Sequence, residues 1–94
     1  MLIGDLLLRF EDPRLAAEAL RSLGDQALTA QVTSAAAEEV LTPGEFTVRS
    51  VERFAARADG KSWTNLVGLL SRSPDPDRVF LRSVLTDELA QRPH

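Results

Sequence analysis

The chain contains no cysteine and no tyrosine. Disulfides, thiolate metal sites and cysteine nucleophiles are therefore excluded. Its one histidine, His94, is the last residue of the sequence and follows Arg92-Pro93, so that residues 91–94 read as a disordered tail. Without a second histidine, neither a zinc site nor a histidine-based triad can be assembled, and no metal and no cofactor is expected. Lysine is scarce too, with Lys61 alone against ten arginines. Together with abundant Ala and Leu, that bias suits a GC-rich bacterial coding sequence and says nothing about function.

Aromatic residues make up only 5% of the chain, so the core must rest on Leu, Val and Ala with a few large anchors. Those anchors are Phe10, Phe46, Phe54, Trp63 and Phe80. A long apolar run is also missing. The most apolar stretch, Met1 to Phe10, is interrupted by Asp5 and Arg9. It lacks the cationic start of a signal peptide and is too short to span a bilayer. A cytoplasmic protein with no membrane association is the expectation. Nor is there a basic surplus. The net charge of −3 argues against a general nucleic-acid binder.

What remains is an ordinary globular composition, 44% apolar and 27% charged, in 94 residues. That length makes one domain, residues 1–94. Its punctuation is helical. Leu2, Leu6 and Phe10 recur every fourth residue beside Ile3 and Leu7, with Asp5 and Arg9 set to pair on the other side. Asp12-Pro13 reads as an N-cap followed by proline at the first helical position, and Gly24 ends that helix. Leu28 to Thr33 alternates like a strand, yet Leu28, Val32, Ala36 and Val40 also keep helical spacing. Ala35-Ala36-Ala37-Glu38-Glu39 favours helix, which is the reading taken.

Thr42-Pro43-Gly44-Glu45 has the form of a capping box, with Leu41 and Phe46 as a hydrophobic staple. The helix it opens should run to about Ala58 and end at Gly60. Ser62 is the expected cap of a helix carrying Trp63, Leu66, Val67, Leu69 and Leu70. Asp75-Pro76 repeats the logic of Asp12-Pro13 for a last helix with Phe80, Leu81, Val84, Leu85 and Leu89. The fold expected is all-α, a compact bundle of about five to six short, obliquely packed helices.

Four features bear on function. Ala55 to Ser62 fits a relaxed phosphate-loop pattern, but that chemistry needs a strand before the loop, and a helix precedes it here. Arg49, Arg53 and Arg57 share one helix face and could contact an anion or an acidic partner; the plainer reading is a solvated face with Glu45 paired to Arg49. The acidic pairs Glu11-Asp12, Glu38-Glu39, Asp75/Asp77 and Asp87-Glu88 sit at helix starts or on exposed faces, where catalysis is not implied. Trp63 suits the edge of the core, with an interface anchor as the other reading.

The segment Ala36 to Ala58, above all Leu41-Thr42-Pro43-Gly44-Glu45-Phe46-Thr47-Val48-Arg49-Ser50-Val51-Glu52-Arg53-Phe54, resembles the second helix of ribbon-helix-helix regulators, which are often antitoxins. The resemblance implies a dimer that inserts a two-stranded ribbon into the DNA major groove. It places the ribbon at Arg21 to Asp25, which the residues themselves mark as a helix end. The overall layout is also similar to that of small bacterial helical proteins, which implies no function.

With no catalytic constellation legible, the expected function is non-enzymatic. The chain reads as a helical protein–protein interaction module that self-associates, with a second copy or another protein as partner. Six large apolar residues between positions 2 and 10 cover more than one stripe, which suggests a contact made by Leu2, Ile3, Leu6, Leu7 and Phe10. The other reading of that helix is a central element of the monomer. The alternative function is a ribbon-helix-helix-like DNA-binding regulator or antitoxin, nucleic acid being the less favoured partner.

Overall fold

A computed structural model describes residues 3–92, apart from the side chains of Ile3 and Leu6. Six helices occupy 81% of the described residues, and none of these residues lies in a strand. They are α1 (Ile3–Arg9), α2 (Pro13–Ser22), α3 (Gln26–Glu38), α4 (Pro43–Arg57), α5 (Gly60–Ser71) and α6 (Pro76–Gln91). The stretch Leu28 to Thr33 is helical throughout.

Helix starts follow local chemistry. Asp12 accepts the backbone N–H of Arg14 at 2.9 Å with Pro13 at the first position, and Asp25 accepts that of Leu28 at 3.0 Å. Thr42 and Glu45 close the reciprocal box: the Glu45 N–H donates to Thr42 Oγ1 at 3.1 Å and the Thr42 N–H to Glu45 Oε1 at 2.9 Å. Asp75 with Pro76 opens α6. At α5 the expected cap is corrected. Asp59 is the N-cap, accepting the Ser62 N–H at 2.8 Å, so Gly60 opens α5 instead of ending α4. Asp59 is simply the earlier of two capping residues, and its choice adds a turn to the helix.

Two helix ends use the left-handed region. Gly24 does so at φ 65°, where glycine carries no steric penalty. Val40, after α3, does so at φ 58°, which is unusual for a β-branched residue. The N–H of Leu41 reaches back to the Ala36 carbonyl at 2.9 Å, so the α3 end is a glycine-type stop built without glycine.

Helices α2, α3, α4 and α6 enclose the core. α4 lies closest to α2, because Gly44 is buried against it. A Cβ at Gly44 would collide with the Pro13 carbonyl oxygen and press on the Ala17 Cβ at 3.2 Å. Two buried hydroxyls near this seam are satisfied inside α4, Thr47 to the Pro43 carbonyl at 2.9 Å and Ser50 to that of Phe46 at 2.8 Å. α6 is tied to the α2–α3 corner by Arg78, which donates to the Ser22 and Leu23 carbonyls at 3.1 and 2.9 Å, and by Arg82, which donates to Asp25 at 2.8 Å.

The sparse aromatics form a row. Phe10 stacks on Phe80 at 5.8 Å, Phe80 meets Phe54 edge-on at 6.5 Å, and Phe54 meets Trp63 edge-on at 5.4 Å. This row docks the peripheral helices α1 and α5 onto the four-helix body. Trp63 is therefore at the edge of the core, as one of its two readings held. Two residues of the expected tail are part of the fold. Gln91 ends α6, and Arg92 lies over the Phe46 ring at 5.7 Å. His94 and Pro93 fall outside the described residues.

Candidate functional site

The arginine stripe on α4 is largely occupied by the chain's own carboxylates. Arg53 donates to Glu88 at 2.8 Å and to Glu39 at 2.9 Å. Arg57 donates to Glu88 at 3.1 Å and to Asp87 at 2.5 Å. Arg92, from the end of α6, completes the cluster with Glu39 at 2.5 Å and Glu38 at 2.6 Å. Three guanidinium groups thus meet four carboxylates, which leaves one negative charge. As an anion or partner contact, the row of Arg49, Arg53 and Arg57 is therefore reduced to Arg49, which is exposed and has no carboxylate partner among the described residues. The expected Glu45–Arg49 pair is replaced by the bond from Glu45 to the Thr42 backbone.

Burial decides how much the cluster matters. Glu88 is only 5% exposed, yet both of its oxygens carry an arginine. Removing one side of such a pair strands a buried charge. Arg53 first, then Arg92, holds the Glu39 carboxyl below its ordinary pKa against the desolvation that would raise it. In turn Glu39 and Glu88 push Arg53 further up, and Asp87 does the same to Arg57. One signal of this was present in the sequence. Glu88 falls on the stripe of Leu81, Val84 and Leu85, and a carboxylate on a buried stripe needs a cation opposite it.

In the remaining acidic pairs, all but Glu11 have structural partners. Asp12 and Asp75 cap helices, and Asp77 pairs with Arg9 across the α1–α6 contact. The expected Asp5–Arg9 pair gives way to that longer-range one. No group of three or more acidic or histidine side chains is placed to hold a metal among the described residues. Ala58 and Asp59 alone join α4 to α5, and the Asp59 carboxylate occupies the start of α5, where a phosphate would have to sit.

On α1 the five expected contact residues separate. Leu2 lies outside the described residues, as do the side chains of Ile3 and Leu6. Leu7 packs on the core. Phe10 is corrected from interface to core: at 1% exposure and stacked on Phe80 it has no surface left for a partner. Leu8, which points away from that stripe, is 65% exposed. On α5, Val67 and Leu69 are likewise exposed to either side of the buried Leu66 and Leu70.

Two open grooves cross the surface. One, of about 580 Å³, runs between α3 and the end of α6 over Leu28, Ala35 and Leu89, with Glu38 and Arg92 at its rim. The other, of about 330 Å³, lies between α2 and α3 and is closed by the start of α4. Ala17, Leu20 and Pro43 line it, with Arg14 and Arg21 at its edge.

Comparison of the chain with protein-family models, with curated proteins and with solved structures finds no match. No helix among the described residues is long and apolar enough to cross a membrane.

Proposed function

We propose that this protein is a non-enzymatic helical interaction module that self-associates through the outer face of α1. The observation that carries the reading is Leu8. Its helix is anchored from one side by Phe10 and Leu7, while a large aliphatic side chain is turned to solvent on the other. Val67 and Leu69 on α5 are exposed apolar side chains of the other peripheral helix. Single exposed leucines are common on folded proteins, so their position counts for more than their number. Among the described side chains, Leu7 and Phe10 anchor the α1 region, and Trp63, Leu66 and Leu70 anchor α5, each from its inner side. Pairing two copies is the commonest way to cover such a surface.

The test is sedimentation over a micromolar concentration series. A self-associating module moves from monomer to dimer across the series. A chain that stays monomeric at the highest concentration contradicts the proposal. Salt-sensitive retention on duplex DNA would instead favour the regulator reading, with Arg49 as its one open stripe residue.

A further inference from the structure

We infer that the groove between α2 and α3 is the seat for α1 of a second copy. This rests on the self-association reading above and specifies the surface that α1 meets. The argument begins with the pattern on α1. Asp5, Leu8 and Glu11 follow one another at intervals of three, and all are exposed. The Glu11 N–H donates to the Leu8 carbonyl at 3.2 Å, a three-residue turn that sets both side chains on one side of the chain. The outer side of α1 and of the turn that follows it therefore reads acid, leucine, acid. Neither acid has an ion-pair partner among the described residues.

The groove reads as the reverse. Its floor is apolar, with Ala17 and Leu20 from α2. The Thr33 hydroxyl on its α3 wall is already satisfied by the Thr29 carbonyl at 2.8 Å. Arg14 and Arg21 stand at its edge, both exposed. Arg14 makes only a loose approach to Asp12 at 3.6 Å, and Arg21 has no carboxylate partner among the described residues. The two arginines are seven residues apart on α2, about 10 Å along the helix at 1.5 Å per residue. Asp5 to Leu8 spans about 4.5 Å at the same rise, and the tighter turn from Leu8 to Glu11 about 6 Å at about 2 Å per residue, which sets the acids about 10 Å apart. An acid–leucine–acid ridge thus matches a base–groove–base slot in spacing, charge and polarity. At about 330 Å³ the slot is large enough to take the Leu8 side chain.

Topology makes the pairing closed. The ridge ends at Glu11 and the slot begins at Pro13, so the two patches follow one another directly along the chain. One two-fold axis can then place each ridge in the other copy's slot, and the contact forms twice. The apolar seat supplies affinity, and the exposed charges set register.

Charge exchange tests this. Asp5→Arg with Glu11→Arg makes ridge and slot both basic; Arg14→Glu with Arg21→Glu makes both acidic. All four side chains are exposed, so both variants should keep the parent's helical spectrum. Each alone should dissociate at least about tenfold more readily than the parent, since like charges then face each other twice. An equimolar mixture should recover the dimer, because every contact in the mixed pair is complementary again. Variants that dimerise like the parent, or a mixture that stays monomeric, overturn the seat. If the parent dimer then dissociates on Leu69→Asp, self-association stands with another contact surface. A monomeric parent removes both.

Discussion

The seam between α2 and α4 and the docking of α1 are two ways of attaching a helix, and they differ in how much can be changed. At the seam, Gly44 brings backbone against backbone, and Thr47 and Ser50 bury their hydroxyls in their own helix. Nothing there has room to move, and the contact is continuous with the core. Among the described side chains, α1 is held instead by one stacked ring, by Leu7 and by the Arg9–Asp77 pair. Tight apposition of small residues fixes a helix, whereas a few anchors leave its outer face open. The elements least committed to the core are the ones free to meet a partner.

The sharpest way to break the contrast is at Gly44. Gly44→Ala puts a Cβ into the Pro13 carbonyl, and backbone cannot yield as a side-chain tip can. A loss of about 3 kcal/mol is expected in urea denaturation. The same substitution at Gly4 on α1, where a Cβ meets nothing within 4 Å, should cost nothing measurable.

Next in size is the ionic cluster. Glu88→Ala should cost about 2 kcal/mol, less than for a fully buried pair because Arg53 and Arg57 are partly exposed and keep Glu39 and Asp87. Acid should act on the same region. The folded-state pKa of Glu39 is depressed by Arg53 and Arg92, so its contribution is present above the ordinary value of 4.5 and is lost as pH falls through the lower folded value. Asp25, depressed by the Leu28 N–H and by Arg82, follows the same sign below 3.8. Melting temperature should therefore be level near neutral pH and drop below about pH 4.5, the ordinary carboxylate range. A drop already complete at pH 6 would contradict this.

Smaller effects separate the α3–α4 corner into its two parts. Thr42→Ala removes the acceptor of the Glu45 N–H and should cost about 1 kcal/mol. Glu45→Ala should cost less, and the two losses should not add fully, because both residues serve one box. Val40→Gly should do the opposite. Val40 is 90% exposed and sits at φ 58°, so relieving the left-handed strain should gain about 0.5 kcal/mol after glycine's own entropy is counted. Urea midpoints of the three variants check these signs.

The legible and illegible parts of this molecule divide by range. Asp12-Pro13, Thr42 to Glu45 and Asp75-Pro76 announce helix starts because a cap is a contact between residues two or three apart. The miss at Asp59 was local too, a choice between two capping residues three positions apart. What α1 presents to solvent was not legible, since the apolar stripe fixes which side of Phe10 faces inward but not that Phe80 waits there. The partners of Arg53 and Arg57 were hidden for the same reason. They lie at the C-terminal cap of α3 and on α6, up to 35 residues away, and only the position of Glu88 on a buried stripe hinted at them. The strain at Val40 left no mark, because nothing nearby in sequence calls for a left-handed valine.

The central claim is that α1 keeps one face for its own fold and offers the other to a second copy. Sedimentation equilibrium of the parent beside Leu8→Asp, at one micromolar concentration and with melting curves on both, tests it most directly. Leu8 is mostly exposed in the monomer, so both proteins should melt cooperatively and keep the same helical spectrum at any concentration where the parent is monomeric. The account predicts a dimer for the parent and a monomer for Leu8→Asp. A parent that sediments as a monomer, or a folded Leu8→Asp that sediments as the parent's dimer, would contradict it.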